Sequence, residues 1–253
     1  MSGYHSSSAL ASTTEPATSG DSSILEDTSL STPVGIPEYL QRTYHWAYLS
    51  HRGRALLDRS LVVSAILWGN AKRLMEAAAA EFIPGQKILQ SACVYGDFSQ
   101  LLARRVGAEG QLTVIDVAPI QIDNCQRKLF PYPQAKARIA DAAAPLMEKV
   151  DGVCCFFLLH EVPEDYKARI VDNLLKIVPQ GGKVVFVDYH RPHPFHPLKG
   201  IMALVFHWLE PYAKILWKRE IKSYASQAEK FDWEKRTYFG GLYQKVVAVR
   251  RAI

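Results

Sequence analysis

The sequence predicts an α/β fold in which a mostly parallel sheet carries helices on both faces, preceded by a helical cap. The stretch Lys87–Ser99 begins as an apolar strand and breaks at a turn containing Gly96, and an amphipathic run from Gln100 to Val106 follows it. Gly152–Leu159 is a nearly continuous apolar run, which is typical of a strand buried in a parallel sheet. Strand and helix patterns then continue to alternate along the chain.

The composition fits one domain with a tail. The chain has 253 residues, 48% of them apolar and 22% charged, which is enough to bury a single substantial core. It contains no run of 18 uncharged apolar residues, so no ordinary transmembrane helix is predicted. The four cysteines lack paired metal-ligand spacing, and we expect reduced thiols that pack in a cytosolic compartment.

The N-terminal tail differs in composition from the rest. Fifteen of the first thirty-two residues are Ser or Thr, which predicts disorder over 1–35 and fits neither a secretory signal nor a transit peptide. The first forty residues hold five acids and no Lys or Arg, so the rest carries a formal net charge of +10. A basic body suggests an anionic partner, either nucleic acid or a membrane surface, and no nucleic-acid module is visible.

The remaining elements follow in order. An aromatic and helical pattern over 36–82 predicts the cap, and 83–253 would form the main domain. The pattern then predicts strands at Gln111–Val117 and near Ala137–Ala140, a helix at Glu164–Val178, a strand at 184–190 after the turn Pro179–Lys183, and a closing strand pair within 237–249.

An apolar segment at 198–217 predicts one long helix. Its tryptophans lie near the ends and lysines flank it, which suits a helix at a bilayer interface that collects a lipid-tailed substrate. A buried lid helix explains the same pattern equally well.

With these elements in view, residues 40–251 resemble class I S-adenosylmethionine (SAM) methyltransferases of quinone biosynthesis. The resemblance is carried by the strand order, the acids at strand ends, Pro179-Gln180-Gly181-Gly182 before the fifth strand, and Tyr238-Phe239-Gly240-Gly241 near the end. It implies a Rossmann-like class I methyltransferase fold that binds SAM.

The loop after the first strand departs from that family. Where such enzymes usually have Asp/Glu-x-Gly-x-Gly-x-Gly, this chain reads Gln90-Ser91-Ala92-Cys93-Val94-Tyr95-Gly96. A left-handed conformation at the β-branched Val94 would cost roughly 1–2 kcal/mol. We therefore expect that the loop follows another path or that the cofactor lies differently over it. A binding site that has decayed is the alternative.

The altered loop resembles the RquA family of rhodoquinone-biosynthesis proteins. That resemblance implies conversion of ubiquinone to rhodoquinone, with a ring methoxy group replaced by an amino group from SAM, and a requirement for Mn²⁺. It also implies a bacterial cytoplasmic protein associated peripherally with the inner membrane. An ordinary methyltransferase acting on a quinone or similar lipid, and a non-catalytic quinone-binding protein, are the alternatives.

The class I resemblance also implies the cofactor residues. Asp116 would hold the ribose hydroxyls, because a carboxylate accepts two hydrogen bonds, although a helix N-cap role is the alternative. Asp141 would meet the adenine amino group, with the small Ala142 near the ring. The full expected set comprises Gln90, Ala92, Val94, Gly96, Asp116, Val117, Asp141 and Ala142.

Three residues are candidates for catalysis. Tyr95 lies next to the one retained glycine, His160 follows the fourth strand as a possible base or ligand, and Tyr44 would roof the site from the cap. Packing roles are the alternatives for His160 and Tyr44. Asp188 and His190 are candidate ligands for a divalent metal, since His193 and His196 follow closely, but the spacing fits no known zinc pattern.

Overall fold

The computed structural model describes residues 64–208 and 212–252, and these contain a seven-stranded sheet with helices on both faces. The order across the sheet is β3-β2-β1-β4-β5-β7-β6. Strands β1 to β5 pair in parallel, whereas β7 runs antiparallel between β5 and β6. The strands are β1 Lys87–Ser91, β2 Gln111–Asp116, β3 Ala135–Ile139, β4 Gly152–Phe156, β5 Lys183–Tyr189, β6 Phe231–Tyr238 and β7 Tyr243–Arg250.

Two core layers cover the sheet. The helices are α1 Ala71–Ala79, α2 Phe98–Val106, α3 Pro119–Leu129, α4 Glu164–Lys176 and α5 Lys199–Trp208. Helices α1, α2 and α3 pack on one face, and α4 packs on the other. Cys154 and Cys155 are adjacent in β4, and each is buried in a different one of the two clusters, because alternate strand residues point to opposite faces. The predicted Rossmann-like architecture, a mostly parallel sheet with helices on both faces, is confirmed.

Two predicted elements are shorter than expected. Strand β4 ends at Phe156 rather than at Leu159, because Phe157 takes a φ of +51°, which a strand cannot accommodate. A 3₁₀ turn at Leu159–Glu161 follows. The helix predicted over 198–217 is also wrong in extent: α5 is followed by a 3₁₀ helix at Ala213–Trp217. Pro211 lies between them in the sequence and has no N–H to donate to a continuing helix.

The turn before β5 shows why it contains two glycines. Gly181 adopts a φ of +75°, a conformation that favours glycine. A Cβ on Gly182 would lie 2.8 Å from Pro179 Cδ and 3.0 Å from the carbonyl oxygen of Asp151. The first glycine therefore serves the backbone angle of the turn, and the second serves the close approach to Pro179 and Asp151, where a side chain has no room.

Some expectations lie outside the described residues. The predicted tail and the cap residues up to 63 belong to that group, so the cap prediction is described only from Ser64 onward. Over the two described ranges, no helix combines the length and apolar character needed to cross a membrane. All four cysteines are buried and unbridged.

Candidate functional site

The carboxyl ends of the parallel strands bring most of the expected site residues to one edge of the sheet. Strand order reverses between β1 and β4, and in α/β sheets such a reversal opens a crevice that binds ligands. The loop 92–97 follows β1, Asp116 ends β2, His160 follows β4, and Asp188 lies near the end of β5.

The loop after β1 has backbone angles that suit glycine at two positions, although only one of them is a glycine. Ala92 has a φ of +131° and Gly96 a φ of +84°, whereas Val94 avoids positive φ. A non-glycine residue in the conformation of Ala92 costs of order 1–3 kcal/mol. Ala92 is therefore held in a strained conformation that suits glycine, and Val94 avoids the cost that positive φ would carry for a β-branched residue.

Gln90 is one cause of that strained conformation. Its side chain is fully buried, and Nε2 donates a hydrogen bond of 2.8 Å to the carbonyl oxygen of Ala92. The Asp or Glu usual at this position has no donor when ionised and could not make this bond. The amide oxygen of Gln90 has no hydrogen-bond partner within the described part of the chain.

Asp116 connects β2 to the same loop. Its carboxylate accepts hydrogen bonds of 2.8 Å from the backbone N–H of Cys93 and of Ala118. Burial raises its pKa to about 6, although these backbone bonds act in the opposite direction. The N-cap position of α3 is Ala118, so Asp116 is not the cap itself. A carboxylate has about four lone-pair positions, which leaves acceptor capacity for a ribose.

Helix α3 holds the loop from the other side. Gln121 Nε2 donates to the Tyr95 hydroxyl at 3.0 Å, and Lys128 Nζ donates to the Gly96 carbonyl at 2.6 Å. The sequence pattern does not single out Gln121 or Lys128, because polar residues on a helix usually face solvent. Their spacing of two helical turns, which places both on one face, was the available signal.

The remaining expected cofactor residues lie beyond β2 and β3. Asp141 Oδ1 accepts a hydrogen bond of 2.8 Å from the Ala143 N–H, which forms a local turn. Ala142 is buried, and Asn173 of α4 donates to its carbonyl at 3.3 Å. Val117 is partly exposed directly after Asp116. The adenine role of Asp141 stays a prediction.

A buried histidine and aspartate meet between β4 and β5. His160 Nδ1 lies 3.0 Å from Asp188 Oδ1, and the His160 backbone N–H donates to Asp188 Oδ2 at 3.2 Å. Both side chains are almost completely buried. An aspartate facing Nδ1 favours the tautomer in which Nδ1 carries the proton and Nε2 accepts one. Glu161 Oε1 lies 3.7 Å from Nε2, so a second carboxylate is close to the other ring nitrogen. Asp188 therefore orients the imidazole for a base role, with Glu161 beside the nitrogen that would accept the proton.

This pairing argues against the metal role predicted for Asp188 and His190. The Asp188 carboxylate already accepts three hydrogen bonds, from the His160 backbone N–H, from His160 Nδ1 and from the Tyr189 N–H, which occupy most of its about four lone-pair positions. His190 Nδ1 instead lies 2.9 Å from the Gly241 carbonyl. Among the described residues, no group of three or more His, Cys, Asp or Glu side chains is placed to hold a metal. The described residues thus do not fit a Mn²⁺ site.

Aromatic rings surround the histidine. The centroid of the Phe157 ring lies 5.6 Å from that of His160, 5.3 Å from Tyr189 and 5.9 Å from Tyr243. Tyr243 is fully buried, its hydroxyl has no hydrogen-bond partner in the described ranges, and burial raises its pKa. We call Phe157, Tyr189, Phe206 and Tyr243 the aromatic cluster. Tyr44, the third candidate for catalysis, lies outside the described residues.

Comparison with known proteins agrees with this geometry. Residues 88–182 match the family model of a methyltransferase domain. The fold over the described residues resembles that of an O-methyltransferase family protein from Burkholderia thailandensis, with a TM-score of 0.63, 12% identity, and coverage of 79% of this chain and 60% of that one. Residues 88–182 are thus similar to a methyltransferase domain, and the sheet and helices of the described residues have the Rossmann-like fold of class I methyltransferases.

Curated relatives are named as quinone methyltransferases. The chain is 28% identical over 134 residues to 2-phytyl-1,4-naphtoquinone methyltransferase of a Nostoc species, covering 51% of this chain and 53% of that protein. It is 26% identical over 157 residues to demethylmenaquinone methyltransferase of Staphylococcus aureus, covering 61% of each. The matches thus span about half to three fifths of these relatives.

Proposed function

We propose that this protein transfers a group from SAM to the ring of a lipid-tailed quinone. The observation that carries the proposal is the His160–Asp188 pair, buried beside the aromatic cluster at the edge of the sheet where SAM would bind. Aromatic side chains favour a flat ring, and an oriented histidine suits a reaction in which that ring or its new substituent loses a proton.

Each part of the site would have its own role in this reaction. Asp116 would accept hydrogen bonds from the ribose, and the loop 90–96 would contact the amino-acid end of SAM. His160 Nε2 would take the proton from the reacting group, and Asp188 would stabilise the imidazolium that forms. Removal of such a base typically slows a reaction 10²- to 10⁴-fold.

Within this class we propose amino transfer to ubiquinone, giving rhodoquinone. The SAM nitrogen would add to the ring carbon that bears the methoxy group, and the methoxy group would leave as methanol with a proton from that nitrogen. The bond from the nitrogen to the cofactor α-carbon would then break by elimination: the nitrogen keeps the electron pair and gains a proton, the adjacent cofactor β-carbon loses one, and the cofactor leaves as an α,β-unsaturated acid. The rebuilt loop supports this, since Gln90, Ala92 and Val94 change the surface against which the amino-acid end of SAM would lie.

Methyl transfer to a quinone is the second candidate. The names of the curated relatives favour it, since both describe methyltransferases of quinone-type substrates. This reaction would release S-adenosylhomocysteine, whereas amino transfer would not. The two reactions therefore differ both in the quinone product and in the product formed from SAM.

The test is incubation of the protein with ubiquinone and SAM carrying nitrogen-15 at its amino group, followed by mass analysis of the quinone. Amino transfer predicts rhodoquinone that contains the heavy nitrogen. Every ring carbon of ubiquinone is already substituted, so methyl transfer is assayed separately with a reduced quinone that lacks the ring methyl group, where it predicts a methylated ring and S-adenosylhomocysteine. Mn²⁺ is included because the RquA resemblance implies it, and a matched sample omits it. An unchanged quinone in both samples, with quinone binding retained, would support the non-catalytic alternative.

Variants connect the result to the site. His160→Asn should lower turnover at least about 100-fold while SAM affinity stays within twofold, because the base acts on the transferred group. His193→Asn is the matched control, since His193 is exposed. The double variant Ala92→Gly, Val94→Gly should lose amino transfer but keep SAM binding. Full amino transfer by that double variant would show that the altered loop is neutral drift.

A further inference from the structure

Helix α5 has an apolar face on each side. Met202 and Phe206 are buried against the domain. Ile201, Leu204 and Trp208 are 49%, 60% and 73% exposed, respectively. Their spacing of three and four residues aligns them in one stripe along the helix. The helix therefore presents an apolar stripe outward as well as one inward.

A further large apolar side chain is exposed just before the helix. Phe195, four residues before Lys199, is 90% exposed. We call Phe195, Ile201, Leu204 and Trp208 the α5 surface. A cluster of large apolar side chains at the protein surface marks an interaction site more often than a scattered set does.

Cations accompany the α5 surface. Residues 190–219 contain five Lys or Arg and a single acid. Arg219 pairs with Glu164 of α4. The other four cations, which show no ion pair or hydrogen bond of their side chains to the described residues, are Arg191, Lys199, Lys214 and Lys218. This segment thus combines an apolar stripe with excess positive charge.

The inward face of α5 reaches the candidate site. The Phe206 ring lies 4.8 Å from the Tyr189 ring, and the Tyr189 ring lies 4.9 Å from the His160 ring, measured between centroids. Helix α5 is therefore one aromatic ring away from the His160–Asp188 pair.

We propose that the α5 surface docks on an anionic lipid bilayer, so that a lipid-tailed substrate reaches the site from the membrane. Apolar side chains with flanking cations are what an interfacial helix needs on such a surface, whereas a protein partner would not require the excess of cations. Each Lys or Arg near an anionic bilayer strengthens binding by roughly fivefold. The proposal goes beyond the proposed function and does not depend on which group SAM donates.

The test is sedimentation of the full chain with phosphatidylcholine vesicles, either alone or mixed in equal parts with phosphatidylglycerol. We expect binding to the mixed vesicles that weakens as salt is raised. Leu204→Gln with Trp208→Gln should weaken it roughly tenfold or more, since both side chains would lose apolar burial. Phe130→Gln with Met147→Gln is the matched control, because these residues are 89% and 91% exposed elsewhere.

A second pair of variants tests the charge. Lys214→Glu with Lys218→Glu should reduce binding to the mixed vesicles at least tenfold, and Lys136→Glu, an exposed lysine on β3, should change it far less. Circular dichroism melting of each variant reports whether the fold is retained. Binding that is equal for all folded variants, or absent for the unchanged protein, would overturn the proposal.

A second copy of the chain is the competing partner for the α5 surface. If sedimentation velocity shows a dimer that Leu204→Gln with Trp208→Gln dissolves, while vesicles bind none of the proteins, the surface joins two copies and the proposal fails. The vesicle measurement uses neither SAM nor quinone. A protein that binds vesicles but leaves quinones unchanged would therefore refute the proposed function alone.

Discussion

At the scale of single residues, Asp116 has the most direct connection to the cofactor. Its carboxylate orients the Cys93 N–H of the loop and still has acceptor capacity toward the crevice. Asp116→Asn keeps the shape and removes the charge, and a hydrogen bond to a charged group contributes about 1.5–3 kcal/mol. SAM affinity measured by calorimetry should fall roughly 10- to 150-fold. Asp123→Asn, at an exposed position on α3, should leave the affinity unchanged.

The raised pKa of Asp116 makes two pH effects opposite in sign. The folded protein favours the protonated form, with a pKa of about 6 against an ordinary value of 3.8. Its contribution to the free energy of unfolding is complete below pH 4 and is lost as the pH rises through 6. SAM affinity should instead weaken as the pH falls below 6, because the ribose needs the carboxylate. Calorimetry from pH 5 to 8 measures this, and a flat profile would contradict the assignment.

Ala92 offers a test that is independent of any ligand. Its φ of +131° suits glycine, so Ala92→Gly should raise the free energy of unfolding by about 1 kcal/mol. This value is the backbone strain that glycine relieves minus the extra chain entropy that glycine loses on folding. Ala77→Gly in α1 should lower it by about 1 kcal/mol, because that residue is helical. Urea denaturation measures both. Destabilisation at Ala92 would show that the loop is not strained there.

At the scale of secondary-structure elements, the sequence predicted the parallel strands and their helices well where the apolar pattern was long. It placed the closing strand pair within 237–249, whereas β6 already begins at Phe231, because most residues of that strand are polar and exposed. It misjudged the end of β4, since Phe157 is apolar and only its positive φ ends the strand. It also joined α5 to the 3₁₀ helix at Ala213–Trp217, because both segments are apolar. Apolar character predicts burial, whereas the exact ends of elements depend on backbone angles that many residues can adopt.

The turn before β5 gives a prediction at the same scale. Gly182→Ala should lower the free energy of unfolding by about 1–3 kcal/mol, because its Cβ would overlap Pro179 and the Asp151 carbonyl. Gly200→Ala is the control, since that position in α5 has open space around it and alanine favours a helix. Equal melting temperatures for the two variants would mean that the turn has room to adjust.

At the scale of the whole molecule, the candidate site depends on contacts that the sequence separates. His160 and Asp188 are 28 positions apart, yet β4 and β5 are neighbours with Phe156 opposite Val187, so the residues near their ends meet. The sequence associated Asp188 with His190 instead, because they are close along the chain. Predicting the true partner required the strand order and the register together, whereas Asp116 could be predicted from its place at the end of β2.

SAM binding should stabilise the whole domain and not only the loop. A ligand that binds only the folded state adds RT ln(1 + [L]/Kd), or about 2.7 kcal/mol at a concentration 100-fold above Kd. For a domain of this size each kcal/mol raises Tm by roughly 2–4 °C, so SAM should raise it by about 5–10 °C. Asp116→Asn should remove most of this shift at the same SAM concentration, while Asp123→Asn should keep it. Because the two core layers share the central strands, far-ultraviolet circular dichroism and tryptophan fluorescence should report the same shift. No shift with SAM would indicate that the crevice does not bind this cofactor, and the proposed transfer reactions would fail together.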